Sequence, residues 1–496
     1  NLFLLGWGRK QKRLQATITG ATSHVAVGIA SDKQLTKALL KQAGLPVPES
    51  DAATTPEQAC RVAARLRAPV TVKPLDANQG KGVTTTCTTP EEVTAAFEHA
   101  RRYSRQIIVE QYLKGRDYRV LVAGGAIAAA SCRRPPYVTG DGKSTITQLV
   151  EVENQDPARG AGHTNILTRI ALDDLALATV RKQGYGFDSI PDAGVCVELR
   201  GNANLSTGGT AEDVTDLLPA ETAQICIRAA LTIGLDIAGI DIVCQDISQP
   251  LREQKGGIIE VNAAPGIRMH QYPSRGKPRD AGEAIVDAMF GDSDGRIPVI
   301  AVTGTNGKTT TTRLIAHAAA LTGISTGMTT TDGVYINNVM TMRGDCTGYH
   351  SARAVLTAPD VDFAVLETAR GGILKRGLGF DRCDIGVVLN VSDDHLGMDG
   401  VDTIEDLAQV KAVVAKSASR AVVLNADDPR CVAMAPDLRR GVEVLYFAQD
   451  ADNPVLLRHL ESGGRAVYVH DNVMVLANGA RHEALLDVRA MPFSLQ

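Results

Sequence analysis

The chain has 496 residues, a net charge of −4, 44% hydrophobic residues and 22% charged residues. This length predicts about two to four domains, and the composition predicts a globular protein with a large core. Few aromatic residues (4%) and no net positive charge argue against a nucleic-acid partner. No apolar run reaches 18 residues, which argues against a membrane helix. Nine cysteines without a Cys-x-x-Cys pair indicate reduced thiols and a cytoplasmic protein.

The N-terminal half orders its predicted helices and strands as an α+β domain does. After an N-terminal segment at 1–30, a helix is predicted from Ser31, its N-cap, to Gly44, its C-terminal stop. The Pro- and Gly-rich stretch 271–296 is predicted to be a linker. The other predicted elements of this half are helices at 56–67, 90–103 and 219–234 and strands at 69–73, 106–110, 118–130, 238–244 and 257–262.

From residue 297 the pattern changes to near-continuous apolar strands that alternate with helices. This pattern predicts an α/β domain with a mostly parallel sheet covered on both faces. The predicted strands lie at 297–303, 362–367, 384–390, 420–424 and 443–447.

A glycine-lysine-threonine loop follows the first of these strands. Its spacing is two residues shorter than the general P-loop, but it lies between a strand and a helix, where backbone N–H groups bind phosphate. Lys308 is predicted to hold the outer phosphates, and Thr309 or Thr310 to offer a hydroxyl to Mg²⁺. An ordinary glycine-rich turn is the alternative. The predicted nucleotide contacts are Gly304, Thr305, Asn306, Gly307, Lys308, Thr309 and Thr310.

Two later strands lead to groups that bind Mg²⁺. Glu367 ends the strand at 362–367, and His395 follows the strand at 384–390. Because the carboxyl ends of parallel strands meet at one edge of the sheet, both are predicted to lie beside the P-loop. A histidine satisfied within a turn is the alternative for His395.

The N-terminal half carries the pattern of a second, different ATP site. A lysine at the end of a strand precedes a glycine-rich loop that is predicted to close over phosphates. Two acids that flank a glycine turn are predicted to accept hydrogen bonds from adenine and ribose. A solvated lysine and exposed acids are the alternatives. These nucleotide-binding candidates are Lys73, Gly80, Lys81, Gly82, Glu110 and Asp117.

Two strands of the same half end in oxygen ligands. Asp241, Glu260 and Asn262 are the hard oxygen donors that Mg²⁺ prefers, and residues two apart on a strand point to the same face. Buried acids are costly unless they are paired or bound to a metal, so a purely structural role is the alternative.

These clusters resemble the ATP-grasp superfamily, most closely the branch that contains D-alanine–D-alanine ligase. The resemblance covers about residues 31–270 and is strongest in the segment 260–266. It implies that ATP phosphorylates a carboxylate and that an amine attacks the acyl phosphate. It also implies that Lys33 is a nucleotide-binding lysine.

One position departs from those ligases. They carry an arginine two residues before the aspartate equivalent to Asp241, and this chain has Gly239 there. Arg200 and Arg268 are therefore candidates for stabilising the charge of the tetrahedral intermediate.

The short P-loop, Glu367 and His395 resemble the Mur ligases and folylpolyglutamate synthetase. The resemblance implies that both residues hold Mg²⁺ and that a carbamylated lysine supports the metal. Lys411 is the first candidate for that lysine and Lys416 the second. Residues 297–496 are predicted to form the central domain of this fold.

An ATP-grasp domain followed by a Mur-type domain resembles the cyanophycin synthetase family. The segments that carry this resemblance are 6–16, 31–33, 260–266 and 367–374. It implies that the ATP-grasp site adds aspartate to the backbone α-carboxylate of the polymer and that the Mur-type site adds arginine to the β-carboxylate. It implies ATP and Mg²⁺ as cofactors and aspartate, arginine and the growing chain as partners, with no nucleic acid or membrane and with a homo-oligomeric assembly.

We also expect the chain to be a fragment that lacks the N-terminal domain and the Mur lid domain of that family. A polymerase of β-aspartyl-arginine dipeptides is one alternative, but its Mur-type site is degraded, whereas Lys308, Glu367 and His395 are present here. A ligase of the same plan for other amino acids is a second alternative. A non-catalytic nucleotide-binding scaffold is a third, and both sets of metal ligands argue against it.

Overall fold

The computed structural model describes residues 2–67, 69–75, 82–162, 165–393, 396–397 and 400–491. The chain divides into two compact units. The first contains residues 1–3 and 13–292, and the second contains residues 4–12 and 293–496. The predicted domain boundaries stay predictions, but the N-terminal segment contributes residues to both units.

The first unit contains most of the helices and strands before residue 292. The helices are α1 His24–Ser31, α2 Lys33–Gln42, α3 Pro56–Leu66, α4 Pro90–Arg101, α5 Ile146–Asn154, α6 Asp174–Lys182, α7 Ala220–Ile233, α8 Arg268–Gln271 and α9 Ala281–Phe290. The strands up to this point in the chain are β1 Leu2–Leu5, β2 Lys12–Gln15, β3 Ile18–Thr19, β4 Ser50–Ala53, β5 Val70–Pro74, β6 Thr84–Cys87, β7 Ile107–Gln111, β8 Arg116–Ala123, β9 Ala126–Arg134, β10 Tyr137–Thr139, β11 Arg159–Gly160, β12 Leu167–Thr168, β13 Cys196–Glu198, β14 Thr210–Asp213, β15 Ile237–Cys244 and β16 Gly257–Asn262.

Two sheets position the candidate site of this unit. The smaller has the order β4-β7-β5-β6 and packs against α3 and α4. The larger has the order β14-β9-β8-β15-β16, and one of its faces joins α1, α2 and α7 in a hydrophobic core. Because side chains alternate along a strand, Tyr118, Val120 and Val122 enter this core, and Asp117 and Arg119 lie on the other face.

The segment between β9 and β14 forms a separate small core. Strands β10 and β13 pair antiparallel there, and α5 and α6 supply apolar side chains. Val138, Ile146, Val180, Val197 and Leu199 are fully or almost fully buried in it.

The second unit is built on one large sheet. Its helices are α10 Lys308–Leu321, α11 Tyr349–Leu356, α12 Arg370–Arg376, α13 Ile404–Ser417, α14 Pro429–Val432 and α15 Pro454–Glu461. Its strands are β17 Val299–Thr303, β18 Thr326–Thr329, β19 Gly333–Ile336, β20 Val339–Arg343, β21 Phe363–Glu367, β22 Cys383–Val388, β23 Ala418–Asn425, β24 Glu443–Ala448, β25 Arg465–His470, β26 Val473–Asn478 and β27 Arg481–Asp487.

The central strands of this sheet are parallel. The order is β20-β19-β18-β21-β17-β22-β23-β24-β25-β26-β27, and the strands from β18 to β25 in this order pair parallel. Antiparallel pairs extend the sheet at both ends. Strand β17 lies between β21 and β22, so the P-loop that follows it emerges at the carboxyl edge of the sheet. The predicted parallel sheet is thus confirmed.

Two local predictions in the N-terminal half were wrong. Ser31 ends α1, and Asp32 caps α2 instead, because its side chain accepts hydrogen bonds from the backbone N–H groups of Gln34 and Leu35. The predicted strand 118–130 is a hairpin of β8 and β9, because Gly124 and Gly125 adopt positive φ angles of 57° and 80° and turn the chain.

All nine cysteines are free, as predicted. The described part of the chain contains no helix that is both long and apolar enough to cross a membrane.

Candidate active sites

The P-loop of the second unit forms a backbone cradle at the start of a helix. Gly307 caps α10 with a φ of 84°, and Gly304 has a φ of 155°. A Cβ atom on Gly304 would lie 2.9 Å from the Cβ of Leu389, so only glycine fits without displacement. Lys308 begins α10, and its Nζ donates to the carbonyl oxygen of Thr305 at 2.8 Å, which holds the ammonium over the loop.

Asn390, two residues after the end of the neighbouring strand β22, fixes this loop. Its Oδ1 accepts hydrogen bonds from the backbone N–H groups of Thr305 at 3.0 Å and Asn306 at 2.9 Å. Ser392 extends the clamp, because its N–H donates to Oγ1 of Thr305 at 3.0 Å. The loop is therefore held in shape by protein groups before any phosphate arrives.

Glu367 lies at the end of β21, beside the last residues of β17. Its Oε2 accepts hydrogen bonds from Oγ1 of Thr309 at 2.9 Å and from the backbone N–H of Thr331 at 3.3 Å. Its Oε1 is buried and has no hydrogen-bond partner among the described residues. Burial raises the pKa of this carboxyl, and the hydroxyl of Thr309 and the charge of Lys308 oppose the rise. A buried oxygen without a partner beside a threonine hydroxyl fits an Mg²⁺ ligand set.

The other predicted residues of this site fall in different surroundings. Thr310 is exposed, so Thr309 is the hydroxyl that faces Glu367. Lys411 is 3% exposed on α13, whereas the ammonium of Lys416 pairs with Asp437 at 3.1 Å near the surface. His395 lies outside the described residues.

A cluster of lysines and carboxylates occupies the first unit between α2 and the smaller sheet. The Nζ of Lys73, on β5, donates to Oε1 of Glu110 at 2.5 Å, and Lys37, on α2, contacts the other carboxylate oxygen. Lys33 lies one helical turn before Lys37, with its Nζ 3.7 Å from Oε1 of Glu260. Sequence reasoning missed Lys37, although its position four residues after Lys33 on a helix was the available signal.

Burial shifts the pKa values of this cluster. The side chains of Lys37, Glu110 and Lys73 are 7%, 4% and 10% exposed. Desolvation lowers the pKa of Lys37 well below its ordinary value, and the charge of Lys73 adds to the shift. Desolvation and the charge of Lys33 lower the pKa of Lys73 to about 8. Glu110, predicted to contact adenine, is the shared counter-ion of two lysines in this structure.

The polar face of the larger sheet brings the predicted metal ligands together. Asp241 on β15 lies directly opposite Glu260 on β16, and Asn262 lies opposite Gly239. The amide nitrogen of Asn262 donates to the carbonyl oxygen of Gly239 at 3.4 Å, which leaves the amide oxygen for a ligand. Glu260 is about one-third exposed, so its carboxylate is open to a metal and to phosphate. The oxygens of Glu260 and Asn262 fit Mg²⁺.

Two arginines already bind Asp241. Arg119, opposite Asp241 on β8, donates from Nε and Nη2 to its two carboxylate oxygens, the Nη2 bond being 2.9 Å. Arg133, on β9, lies 3.2 Å from Oδ2. Burial alone would raise the pKa of Asp241, but these two guanidinium groups hold it below its ordinary value. This cluster of one carboxylate and two guanidiniums has an excess positive charge, which suits an anion next to the Glu260 site.

The glycine at position 239 explains where Arg119 lies. A Cβ atom on Gly239 would lie 2.8 Å from the Cβ of Pro265 and 3.1 Å from the Cδ of Arg119. The side chain of Arg119 therefore occupies space that a side chain at 239 would fill. Sequence reasoning missed Arg119 and Arg133. The available signal was a charged residue that alternates with apolar ones along a buried strand.

Arg200 and Arg268, the predicted candidates for this charge, have other partners. Arg200 is buried, and its Nη2 donates to Oδ2 of Asp173 at 2.7 Å. The Nη1 of Arg268 donates to the backbone oxygen of Asn165 at 2.8 Å. Among the described residues, the arginines in contact with Asp241 are Arg119 and Arg133.

The remaining nucleotide candidates lie at the borders of these clusters. Asp117 is on β8, two residues before Arg119, and burial raises the pKa of its carboxyl. Gly82 has a φ of 71°. Gly80 and Lys81 lie outside the described residues. Across the described ranges there is no group of three or more His, Cys, Asp and Glu side chains that could hold a metal, because each predicted set includes Asn, Thr or an undescribed histidine.

Comparison with known families assigns each half of the chain. Residues 30–147 and 197–277 match the RimK-like ATP-grasp domain, and residues 302–483 match the Mur ligase middle domain. The predicted fold class, an ATP-grasp domain followed by a P-loop domain of the Mur type, is confirmed. The first match omits residues 148–196, which lie within the separate small core.

Similar proteins cover almost the whole chain. The cyanophycin synthetase of Synechocystis sp. (strain ATCC 27184 / PCC 6803 / Kazusa) is 49% identical over 95% of this chain and 55% of its own length. That of Trichormus variabilis (strain ATCC 29413 / PCC 7937) is 47% identical over 96% of this chain and 53% of its own. The crystal structure of a bifunctional glutathione synthetase from Pasteurella multocida covers 58% of this chain and 40% of that chain, at 31% identity and a TM-score of 0.46. The chain thus spans about half the length of the curated relatives it matches.

Proposed function

We propose that this chain, which belongs with the cyanophycin synthetases, forms amide bonds at two ATP-dependent sites. The ATP-grasp site adds aspartate to the α-carboxylate at the end of a poly-aspartate backbone. The Mur-type site adds arginine to the β-carboxylate of that aspartate. At each site ATP phosphorylates the carboxylate, and an amine displaces phosphate from the acyl phosphate.

One observation carries the proposal: the chain holds two clusters of unlike construction, each with a lysine and a carboxylate of the kind that binds ATP and Mg²⁺. The first has Lys73 beside Glu110 and Glu260 in the same unit, and the second has Lys308 beside Glu367. A polymer with two chemically distinct carboxylates needs two activation sites, because each must hold its own acceptor in line with the γ-phosphate.

In the ATP-grasp half, Lys33 and Lys73 would bind the phosphates, and Glu260 and Asn262 would hold Mg²⁺. When bound, Mg²⁺ neutralises phosphate charge and orients the transferred group. Arg119 and Arg133 face the same side of the sheet and would stabilise the negative charge that develops when the amine attacks the acyl phosphate. This role replaces the one that the sequence predicted for Arg200 and Arg268.

In the Mur-type half, backbone N–H groups of the P-loop would surround the β- and γ-phosphates, and Lys308 would release Thr305 to bind them. Thr309 and Glu367 would hold Mg²⁺ together with His395. Lys411, buried on α13, stays the candidate for carbamylation, with Lys416 second.

The test is phosphate release by the purified chain with ATP, Mg²⁺ and a short β-aspartyl-arginine primer. Aspartate alone should stimulate release through the ATP-grasp site, and arginine should add a further increment once aspartate has been added. The variant Lys308→Met should lose the arginine increment and keep the aspartate response. ATP binding without release under any combination of amino acids would contradict the proposal and favour a scaffold.

The same proposal names the other partners. Aspartate, arginine and the growing polymer are the substrates, and we place the reaction in the cytoplasm, since the nine cysteines are free thiols. A homo-oligomer stays a prediction. Size measurement in solution at several concentrations tests it.

A further inference from the structure

Glu110 is the centre of an unusual charge arrangement in the ATP-grasp half. Each of its two carboxylate oxygens has one lysine partner, Lys73 on Oε1 and Lys37 on Oε2. These three side chains are at least nine-tenths buried, and their summed charge with both lysines protonated is +1. A buried excess charge is unfavourable unless an anion compensates it. This cluster is therefore set to receive an anion.

The two lysines differ in what they can reach. Lys73 is the penultimate residue of β5, which ends at Pro74, shortly before the glycine-rich sequence 76–82. Lys37 lies on α2, one turn beyond Lys33 on the same face of the helix, and its ammonium ends on Glu110. Desolvation lowers the pKa values of both lysines, so burial disfavours their protonated forms, and the charge of Glu260 opposes this shift.

We propose that Lys37 is a positioning residue of the ATP-grasp site, which holds and neutralises Glu110 so that Lys73 is free to bind nucleotide phosphates. When Lys73 turns to phosphate, Glu110 keeps a cationic partner and no buried carboxylate is left alone. Without Lys37, Glu110 and Lys73 form a closed neutral pair, and ATP must break that pair at the cost of an unpaired buried charge. This inference rests on the proposed function, since it takes ATP as the ligand.

The experiment measures ATP binding at this site alone. Calorimetric titration with ATP and Mg²⁺ is carried out on the full chain carrying Lys308→Met, which weakens the P-loop site. In this background Lys37→Met should weaken ATP binding by about 10- to 100-fold, the range for a lost interaction with a charged group. Lys37→Arg should keep most of the affinity. Lys41→Met, one turn further along α2 in an exposed pair with Glu49, is the matched control and should leave affinity unchanged.

A second substitution separates positioning from mere packing. In a Glu110→Gln background Glu110 no longer holds Lys73 by charge. The fold loss of ATP affinity caused by Lys37→Met should then be less than a third of the fold loss measured with Glu110 present. An equal loss in both backgrounds would overturn the inference, because Lys37 would then act independently of Glu110. In phosphate-release assays, Lys37→Met should raise the KM for ATP and leave the KM for aspartate nearly unchanged.

The outcome also distinguishes this inference from the proposed function. If the Lys308→Met chain binds no ATP, the proposed ATP site of the first unit fails. If it binds ATP and Lys37→Met binds equally well, only the role of Lys37 is wrong. Thermal melting of every variant shows whether a loss of binding follows from unfolding, and the Lys37→Arg variant keeps the test valid if Lys37→Met does not fold.

Discussion

The two candidate nucleotide sites of this chain are prepared in opposite ways. In the ATP-grasp half the charged side chains hold one another: Glu110 binds two lysines, and Asp241 binds two arginines. In the Mur-type half the phosphate cradle is backbone held by Asn390, and Glu367 keeps one buried oxygen without a partner among the described residues. The first site must exchange several side-chain partners when a ligand binds. In the second the backbone cradle already has its shape, and Lys308 alone must leave the carbonyl oxygen of Thr305.

This difference shows why residue type alone does not define a ligand role. The ATP-grasp pattern predicts a metal contact for Asp241 and an adenine contact for Glu110. In this structure their carboxylate oxygens accept hydrogen bonds from arginine and lysine side chains instead. Glu367 is also a buried acid, but its spare oxygen and the neighbouring hydroxyl of Thr309 leave room for a metal. The partners of an acid, and not its burial, separate the two cases.

The largest expected effect comes from removing the single ammonium of the P-loop. Lys308→Met should reduce arginine-dependent phosphate release by about 10²- to 10³-fold, the usual loss when one preorganised charge donor is removed from a transition state. Aspartate-dependent release should stay within about twofold. Release is measured with aspartate already incorporated into the primer. Arg465→Met, in an exposed pair with Glu443, serves as the control. Equal losses of both activities would contradict the assignment of separate sites.

The next effect tests the paired acids of the ATP-grasp half. Asp241→Asn should destabilise the first unit by about 3–5 kcal/mol, because it leaves Arg119 and Arg133 buried without their counter-ion. Denaturant unfolding measures the loss. Asp216→Asn, whose side chain is 56% exposed, should change the midpoint very little. A small effect of Asp241→Asn would mean that the arginines find other partners and that Asp241 is free for metal.

A smaller loss of stability is expected at Gly239 on β15, where the side chain of Arg119 packs against the backbone. Gly239→Ala adds a Cβ atom 2.8 Å from Pro265 and 3.1 Å from Arg119, so we expect a loss of about 1–3 kcal/mol from overpacking. Gly266→Ala is the matched control, since no atom lies within 4 Å of its added Cβ. If Gly239→Ala is as stable as the control, the side chain of Arg119 can leave that space freely.

The sequence predicts much of the fold and part of each site. The P-loop, Glu367 and the strands around them follow from local patterns, because a strand, a glycine turn and a helix are consecutive in the chain. The cross-strand partners of Asp241 do not follow from local patterns. Arg119 and Arg133 lie more than 100 residues before it, and the register of the sheet determines which residues lie opposite each other.

The two wrong local predictions have the same kind of cause. Ser31 and Asp32 are both residue types that cap helices. Asp32 is the N-cap of α2 because its carboxylate accepts hydrogen bonds from two backbone N–H groups. A glycine pair inside an apolar run turns the chain at 124–125, and periodicity alone does not reveal this turn. Propensity identifies the element, but its ends are set by single hydrogen bonds and dihedral angles.

The smallest effect, and the one that compares the two halves most directly, is a pH dependence of opposite sign in the ligand-free protein. The pKa of Asp241 is held below its ordinary value by two arginines, so the stability it contributes is present above about pH 4 and is lost as the pH falls further. The pKa of Glu367 is raised by burial, so its ionisation costs stability at neutral pH and this cost disappears as the pH falls through the raised value. As the pH falls from neutral through the raised pKa of Glu367, the second unit should therefore become more stable, by about 1.4 kcal/mol for each unit of pKa shift. Hydrogen exchange in β21 and β15, corrected for intrinsic rates, measures both trends in one sample.

Glu367→Gln should flatten the pH dependence of stability in the second unit, whereas Glu443→Gln, at an exposed position, should leave it unchanged. An unchanged pH dependence in Glu367→Gln would mean that another group titrates there.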